Sequence, residues 1–303
     1  MRIHSILALI VCALLAACSG PTRSDLECAA AVQSRVDSLG ALQDQLKLPK
    51  NLLQDAPHKV GGEFGVMQTL RFFPHLRIEE GFVLDYVYEF GGIGGAPIVY
   101  ARKENEPPAG NTDAIVINAP ERFNLEEGQR AWKQFQEEEK KLKGDNAAWL
   151  AAWGELQKRL SKIPDHDVSR LYLKHIVTDG SDEGFIELAA LGVVCDQFYL
   201  FWHAGYKKET VVLTKEKADK VMAGLGESMW ASSPSQPKPP RLTPALLCPK
   251  VKRTSDAVTV SIHVFSDWGG LSRRTFQISP QFPYRIRESE PVVVVPYHSG
   301  RFY

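Results

Sequence analysis

The chain has 303 residues, 44% hydrophobic, 24% charged and 10% aromatic, with 36 Lys and Arg balanced by 36 Asp and Glu. This composition excludes the collagen-like and the low-hydrophobicity, high-charge disordered classes, and the lack of a basic excess argues against a nucleic-acid partner. The length suits one large domain or two modest ones, either able to bury a full core.

Residues 1–17 begin Met1-Arg2-Ile3-His4-Ser5-Ile6 and continue as an almost uninterrupted apolar run to Ala17. A basic start, a short apolar stretch and small residues after it form a secretory signal layout. The run is shorter than the roughly 20 apolar residues that span a bilayer as a helix. It closes on Leu15-Ala16-Ala17-Cys18, which resembles the lipobox of bacterial lipoproteins, a resemblance confined to residues 1–18. That resemblance implies cleavage before Cys18, diacylglycerol on its sulfur and a third acyl chain on the new amino terminus. Ser19 after the cysteine, in place of Asp, implies the outer membrane in Gram-negative members of the class. Each buried methylene contributes about 0.8 kcal/mol and stable anchoring needs more than one chain, so three chains suffice. The expected partner is therefore the membrane, reached through the lipid anchor, with the body facing the periplasm. The alternative is an ordinary cleaved leader and a soluble secreted protein.

Cys12 leaves with the leader, and acylation of Cys18 leaves Cys28, Cys195 and Cys248 as thiols. An oxidising compartment permits a disulfide, and three thiols allow one bridge with one cysteine left over. Cys195 follows Leu191-Gly192-Val193-Val194, a context for an inert buried thiol. The bridge expected is Cys28–Cys248, tying the membrane-proximal helix to the C-terminal part.

Residues 18–24 read as a lipidated tether. From Asp25 to Leu46, Val32, Val36, Leu39, Leu42 and Leu46 recur at helical spacing, with Ser24 and Glu27 as the expected capping box. Phe82 to Phe90 alternates as a strand, and Gly91 to Gly95 turns it toward a second strand at 96–101. A further strand is expected at 114–119. Residues 124–162 read as a helical hairpin whose Trp132, Trp149 and Trp153 stripes face each other across a Gly-containing turn. From Val168 to Thr214 the expectation is β-rich: strands at 171–177 and 184–191, and a central strand at 192–203 with both parities apolar. A short helix is expected at 215–225 and a Pro-rich linker at 231–241. Beyond it come a hairpin built from 257–265 and 274–279 and a last strand at 292–295. The C-terminal piece is too small to stand alone, so its strands are expected to join the main sheet. The fold class is α+β, a mainly antiparallel sheet with an N-terminal helix and a helical hairpin, in one domain over 25–303.

No ordered catalytic constellation emerges. The glycines at 91–95 are followed by β-like sequence, not by the helix start a phosphate cradle needs. Cys195 and His203, on one extended strand, would lie roughly 26 Å apart. Asp165-His166-Asp167 has no accompanying metal-ligand spacing, and Gly226-Glu227-Ser228-Met229-Trp230 departs from GxSxG at its last position. No metal or cofactor is expected. The segment Ser266 to Arg274 combines Trp268 with Arg273 and Arg274 at a hairpin tip, the composition of a binding hot spot; its plain alternative is a turn whose Trp folds onto the sheet. The leading expectation is a non-catalytic lipoprotein that binds a protein partner as a scaffold or as an inhibitor or immunity-type protein. The rivals are an envelope hydrolase acting on lipid, glycan or peptide, and a carrier of an apolar ligand.

Overall fold

A computed structural model describes residues 20–54, 57–91, 94–112, 115, 122–142, 145–160, 162, 168–224, 241–267 and 269–297. The fold is α+β, with antiparallel strands, an N-terminal helix and a helical hairpin.

Helix α1 spans Arg23–Gln45. Its cap is Thr22, two residues earlier than the Ser24–Glu27 box expected. The Thr22 hydroxyl accepts from the Asp25 N–H at 3.2 Å and the Asp25 carboxylate accepts from the Thr22 N–H at 2.8 Å, so Asp25 completes the reciprocal pair. Ala29, Val32, Val36 and Leu39 are buried on one stripe. Two buried glutamines on the helix satisfy backbone of the body: Gln33 bonds Val211 O and Leu213 N, and Gln43 donates to Val194 O at 2.8 Å. Helix α1 is thus docked on the body.

Strands β1 (Leu76–Ile78), β2 (Phe82–Phe90) and β3 (Gly94–Lys103) follow. β2 and β3 pair along their whole length, from Phe82 opposite Lys103 to Phe90 opposite Gly95. Gly95 has to be glycine, because a Cβ there would lie 2.7 Å from the Tyr88 hydroxyl, which donates to Tyr199 O. Gly94 and Gly95 are strand residues paired with the short β5 (Phe201–Trp202). The strand expected at 114–119 lies outside the described residues except for Ile115, which is buried and helical.

Helices α2 (Arg122–Glu139) and α3 (Asn146–Leu160) form the expected hairpin. Its seam joins Ala131, Phe135 and Leu156 with Trp149 and Trp153, whose rings stack 5.6 Å apart. The Pro-rich linker at 231–241 lies outside the described residues except for Arg241.

The 168–214 region corrects the β-rich expectation. Val168–His175 is a 3-10 helix, β4 is only Ile176–Thr178, and Asp182–Val194 is helix α4. The Ser181 hydroxyl caps α4 by accepting from the Gly184 N–H, and Asp182 and Glu183 occupy the first turn, where the helix dipole favours acids. Nearly every α4 residue from Gly184 to Val194 is buried. A helix apolar all round has no period to read, and it imitates a strand covered on both faces. Cys195 and His203 therefore do not share a strand: Cys195 closes α4, and His203 opens a 3-10 turn after β5.

α4 packs against α1, β4, β6 (Glu209–Val211) and β8 (Val258–Ser266). Contrary to expectation, the C-terminal strands do not join the β2–β3 sheet; among the described residues they form a separate sheet to which the earlier chain contributes only the three-residue β6. Helix α5 (Lys215–Ala223) follows β6; α6 (Pro244–Leu247) and β7 (Lys250–Arg253) precede β8. β9 (Gly270–Ile278) pairs with β8, and β10 (Ile286–Glu288) and β11 (Val292–Val295) both pair with β9. The sheet order is β10-β9-β8-β6, apart from the β2-β3-β5 and β1-β4 sheets. At Gly270, φ is +73° and a Cβ would lie 2.1 Å from Val295 O, so β11 can cross the hairpin only over a glycine. Among the described residues no helix is long and apolar enough to cross a membrane.

Candidate functional site

A cavity of about 600 Å³ lies between the open end of the β2–β3 hairpin and the Val168–His175 helix. Phe82, Tyr100, Ile115 and Leu171 supply apolar walls, and Arg102, Lys103, Lys174 and His175 stand around them. Tyr100 and Arg102 share one face of the hairpin with Asp85, Val87 and Ile98, and at the open end the cavity is also lined by Phe82, Ala101 and Lys103 of the opposite parity.

The loop after β3 is tied down as one wall. The Ala109 N–H donates to the Tyr100 hydroxyl at 2.6 Å, and Arg102 Nη1 donates to Lys103 O and Glu106 O at 3.2 and 2.7 Å. Arg102 Nε donates to Asp85 Oδ2 at 2.9 Å, and Lys59 pairs with the other oxygen. Burial acts to raise the Asp85 pKa, but the hydrogen bonds from Lys59 and Arg102 outweigh it and hold the carboxyl below its ordinary 3.8. On the other wall the His175 ring stacks on Phe82 with centroids 4.1 Å apart, and its Nδ1 lies 2.7 Å from Glu79. The Tyr172 hydroxyl donates to Leu191 O, and burial pushes its pKa well up. Asp85, Arg102, Tyr172 and His175 are therefore engaged in holding the fold. Chemically, the arrangement offers apolar contact with basic groups at its margin.

A second constellation joins α1 to α4. Arg35 Nη1 lies 2.6 Å from both Glu183 and Glu187, and Glu187 also accepts from the His75 N–H at 3.0 Å. His75 Nδ1 lies 2.7 Å from Asp179. Hydrogen bonds from Ser181 and His75 hold the Asp179 carboxyl at about 2, and the bond to Asp179 raises His75 above 6.5. Burial raises Glu187. His75, Glu183 and Glu187 offer ligand atoms within 4.8 Å of one another. The guanidinium between the two glutamates already supplies the positive charge a metal would bring, and this is an ion-pair knot locking α4 to α1.

The residues singled out at the hairpin tip are separated by the fold. Trp268 lies outside the described residues. Arg273 is exposed, opposite His263 across the β8–β9 ladder. Arg274 is buried on the other face, held by Glu209 and Glu288. Consecutive strand residues point to opposite faces, so the two arginines do not form one surface, and Arg274 is a structural ion-pair residue with no binding surface to offer. The described thiols Cys28, Cys195 and Cys248 are unbridged. Cys195 is buried in the core, where burial pushes its thiol far up. Asp165-His166-Asp167 and residues 226–230 lie outside the described residues.

Sequence reasoning misses the cavity because its walls come from residues 82, 100–109, 115 and 171–175, with no shared motif. The one available signal is Tyr100 and Arg102 alternating on a strand face before the Pro107-Pro108 loop. No family model, no curated protein and no solved structure matches this chain.

Proposed function

We propose that the chain is a lipid-anchored protein of the bacterial envelope, held at the outer membrane by an acylated Cys18, that binds rather than transforms its target. Support for the address is the order of basic start, apolar run and Leu15-Ala16-Ala17-Cys18, followed after only four residues by the Thr22-capped α1. The observation that carries the binding half is the cavity beside Tyr100. Its walls combine apolar Phe82, Tyr100, Ile115 and Leu171 with basic Arg102, Lys103 and Lys174, while the Tyr172 hydroxyl is engaged by Leu191 O and His175 Nδ1 by Glu79. The reading is a scaffold or an inhibitor or immunity-type protein whose protein partner inserts an apolar group at this cavity. The volume of about 600 Å³ also favours a second reading, carriage of a small, partly apolar molecule.

Affinity purification of the detergent-solubilised, acylated protein, with mass spectrometry of proteins and small molecules together, tests this. Ala109→Trp fills the cavity while keeping the N–H that bonds Tyr100. It is expected to reduce recovery of the co-purifying species at least tenfold with thermal stability unchanged. Equal recovery with the filled cavity removes the site. Turnover of lipid, glycan or peptide that is lost in Ala109→Trp would instead establish an envelope hydrolase.

A further inference from the structure

We propose that Cys28 and Cys248 are a disulfide pair that staples the membrane-proximal end of α1 to the C-terminal sheet. The proposal rests on the exported address for its oxidising compartment and on the following geometry for its partners. Cys28 sits in the first half of α1, partly buried against the main core. Cys248 follows α6 and immediately precedes β7. The Cys248 Sγ lies 3.5 Å from the carbonyl oxygen of Asp25. Residues three apart on a helix are surface neighbours, so that contact sets the Cys248 sulfur on the same patch of α1 from which Cys28 projects. Both residues line one groove, together with Thr22, Asp25, Glu183 and Lys250.

The third described thiol is excluded by its place. Cys195 closes α4 inside the core, with Tyr172 and Thr69 beside its sulfur. It faces neither groove residue.

The chemistry is thiol–disulfide exchange with a protein disulfide donor. One cysteine thiolate attacks the donor disulfide, forming a mixed disulfide and releasing one donor thiolate. The second cysteine thiolate then attacks the mixed disulfide, the Cys28–Cys248 bond forms, and the donor leaves as a dithiol. The protein loses two electrons and two protons, which the donor gains. Burial, the nearby Glu183 and Cys248 itself push the Cys28 thiol to about 11, and burial also raises Cys248. Few thiolates exist at neutral pH, so uncatalysed exchange is slow, as befits a structural bridge rather than a cycling one. The bridge fastens α1 six residues after its cap, so load on the anchor passes into β7 and β8 instead of peeling the helix off.

The test uses the full chain extracted from the membrane fraction of a bacterial host, with free thiols alkylated before non-reducing digestion. A second sample is reduced and incubated under native conditions with oxidised glutathione as the probe. A Cys28–Cys248 linked peptide in both samples, with Cys195 alkylated only after unfolding, is the expected result. Cys28→Ser is expected to leave Cys248 alkylatable, whereas Cys195→Ala keeps the linked peptide. Failure to link in both samples, or a bridge that includes Cys195, overturns the pairing, and a linked peptide in the extracted protein upholds it. Linking by glutathione with a fully reduced extracted protein upholds the pairing and overturns the exported address.

Discussion

Arg274→Met is expected to lower the unfolding free energy by about 3–5 kcal/mol, the cost of removing one partner from a buried ion pair. Arg274 is 5% exposed. Its Nη1 donates to Glu209 at 2.6 Å and its Nη2 to Glu288 at 2.7 Å, with Nε also directed at Glu288. Glu209 opens β6 and Glu288 closes β10, the two ends of the β10-β9-β8-β6 order. One guanidinium thus links both margins of the sheet, and Arg170 adds a second cation on Glu288. Glu288 is held below the ordinary glutamate value: burial acts to raise it, and the hydrogen bond and charge of Arg274 and the charge of Arg170 prevail. Without Arg274, two carboxylates keep much of their desolvation cost and lose the charge that offset it. Urea denaturation should show a lower midpoint with an unchanged slope. Arg273→Met, one residue away with its own side chain exposed, should change stability by less than about 0.5 kcal/mol. Equal effects from the two substitutions would contradict this assignment.

Acid should weaken the fold through His263. The residue is 2% exposed on β8, on the face where Leu247, Phe265, Leu271 and Val295 pack. Burial, then the positive charges of Arg273 and Lys250, depress its pKa from 6.5 to about 4. Between those values the unfolded chain binds a proton that the folded chain refuses, so stability falls as pH drops from about 6.5 to about 4. The loss attributable to this one ring is about 3 kcal/mol, as an upper figure. His263→Leu keeps the volume apolar and is expected to remove that portion of the decline. Further losses below pH 4, through Asp179 and Glu288, whose carboxyls are depressed, should remain in the variant. Parallel stability-versus-pH curves for the two proteins would contradict the assignment.

Elements with a single apolar period are legible without coordinates. The stripe Val32, Val36 and Leu39 announces α1, and the alternation from Phe82 to Phe90 announces β2 together with its hairpin partner. The cap of α1 falls two residues before the expected one because Asp25, shorter than the Glu or Gln usual at that position, still reaches back to the Thr22 N–H. Helix α4 is illegible for a physical reason. Its residues from Gly184 to Leu191 are buried on every side, and in a sequence this registers only as uniform hydrophobicity, which strand and helix share. The Ser181 cap with Asp182 and Glu183 is the discriminating local signal. Site features depend on distance along the chain. Arg274 meets a partner 65 residues earlier, and Arg35 meets Glu187 across 152; no local pattern encodes such pairs. For the thiols the sequence signals only that Cys195 sits in an apolar run, Leu191 to Val194, as its burial bears out; the pairing of Cys28 with Cys248 is our proposal.

The central claim is that acyl chains on Cys18 hold a water-soluble body against a bilayer, and membrane partition of Cys18→Ser tests it most directly. The wild-type chain should incorporate radiolabelled palmitate and sediment with outer-membrane vesicles through a high-salt wash. Cys18→Ser should take up no label and lose vesicle association at least tenfold, while keeping its folded stability. A variant that sediments as the wild type does, or a wild-type chain that takes up no palmitate, would contradict the account.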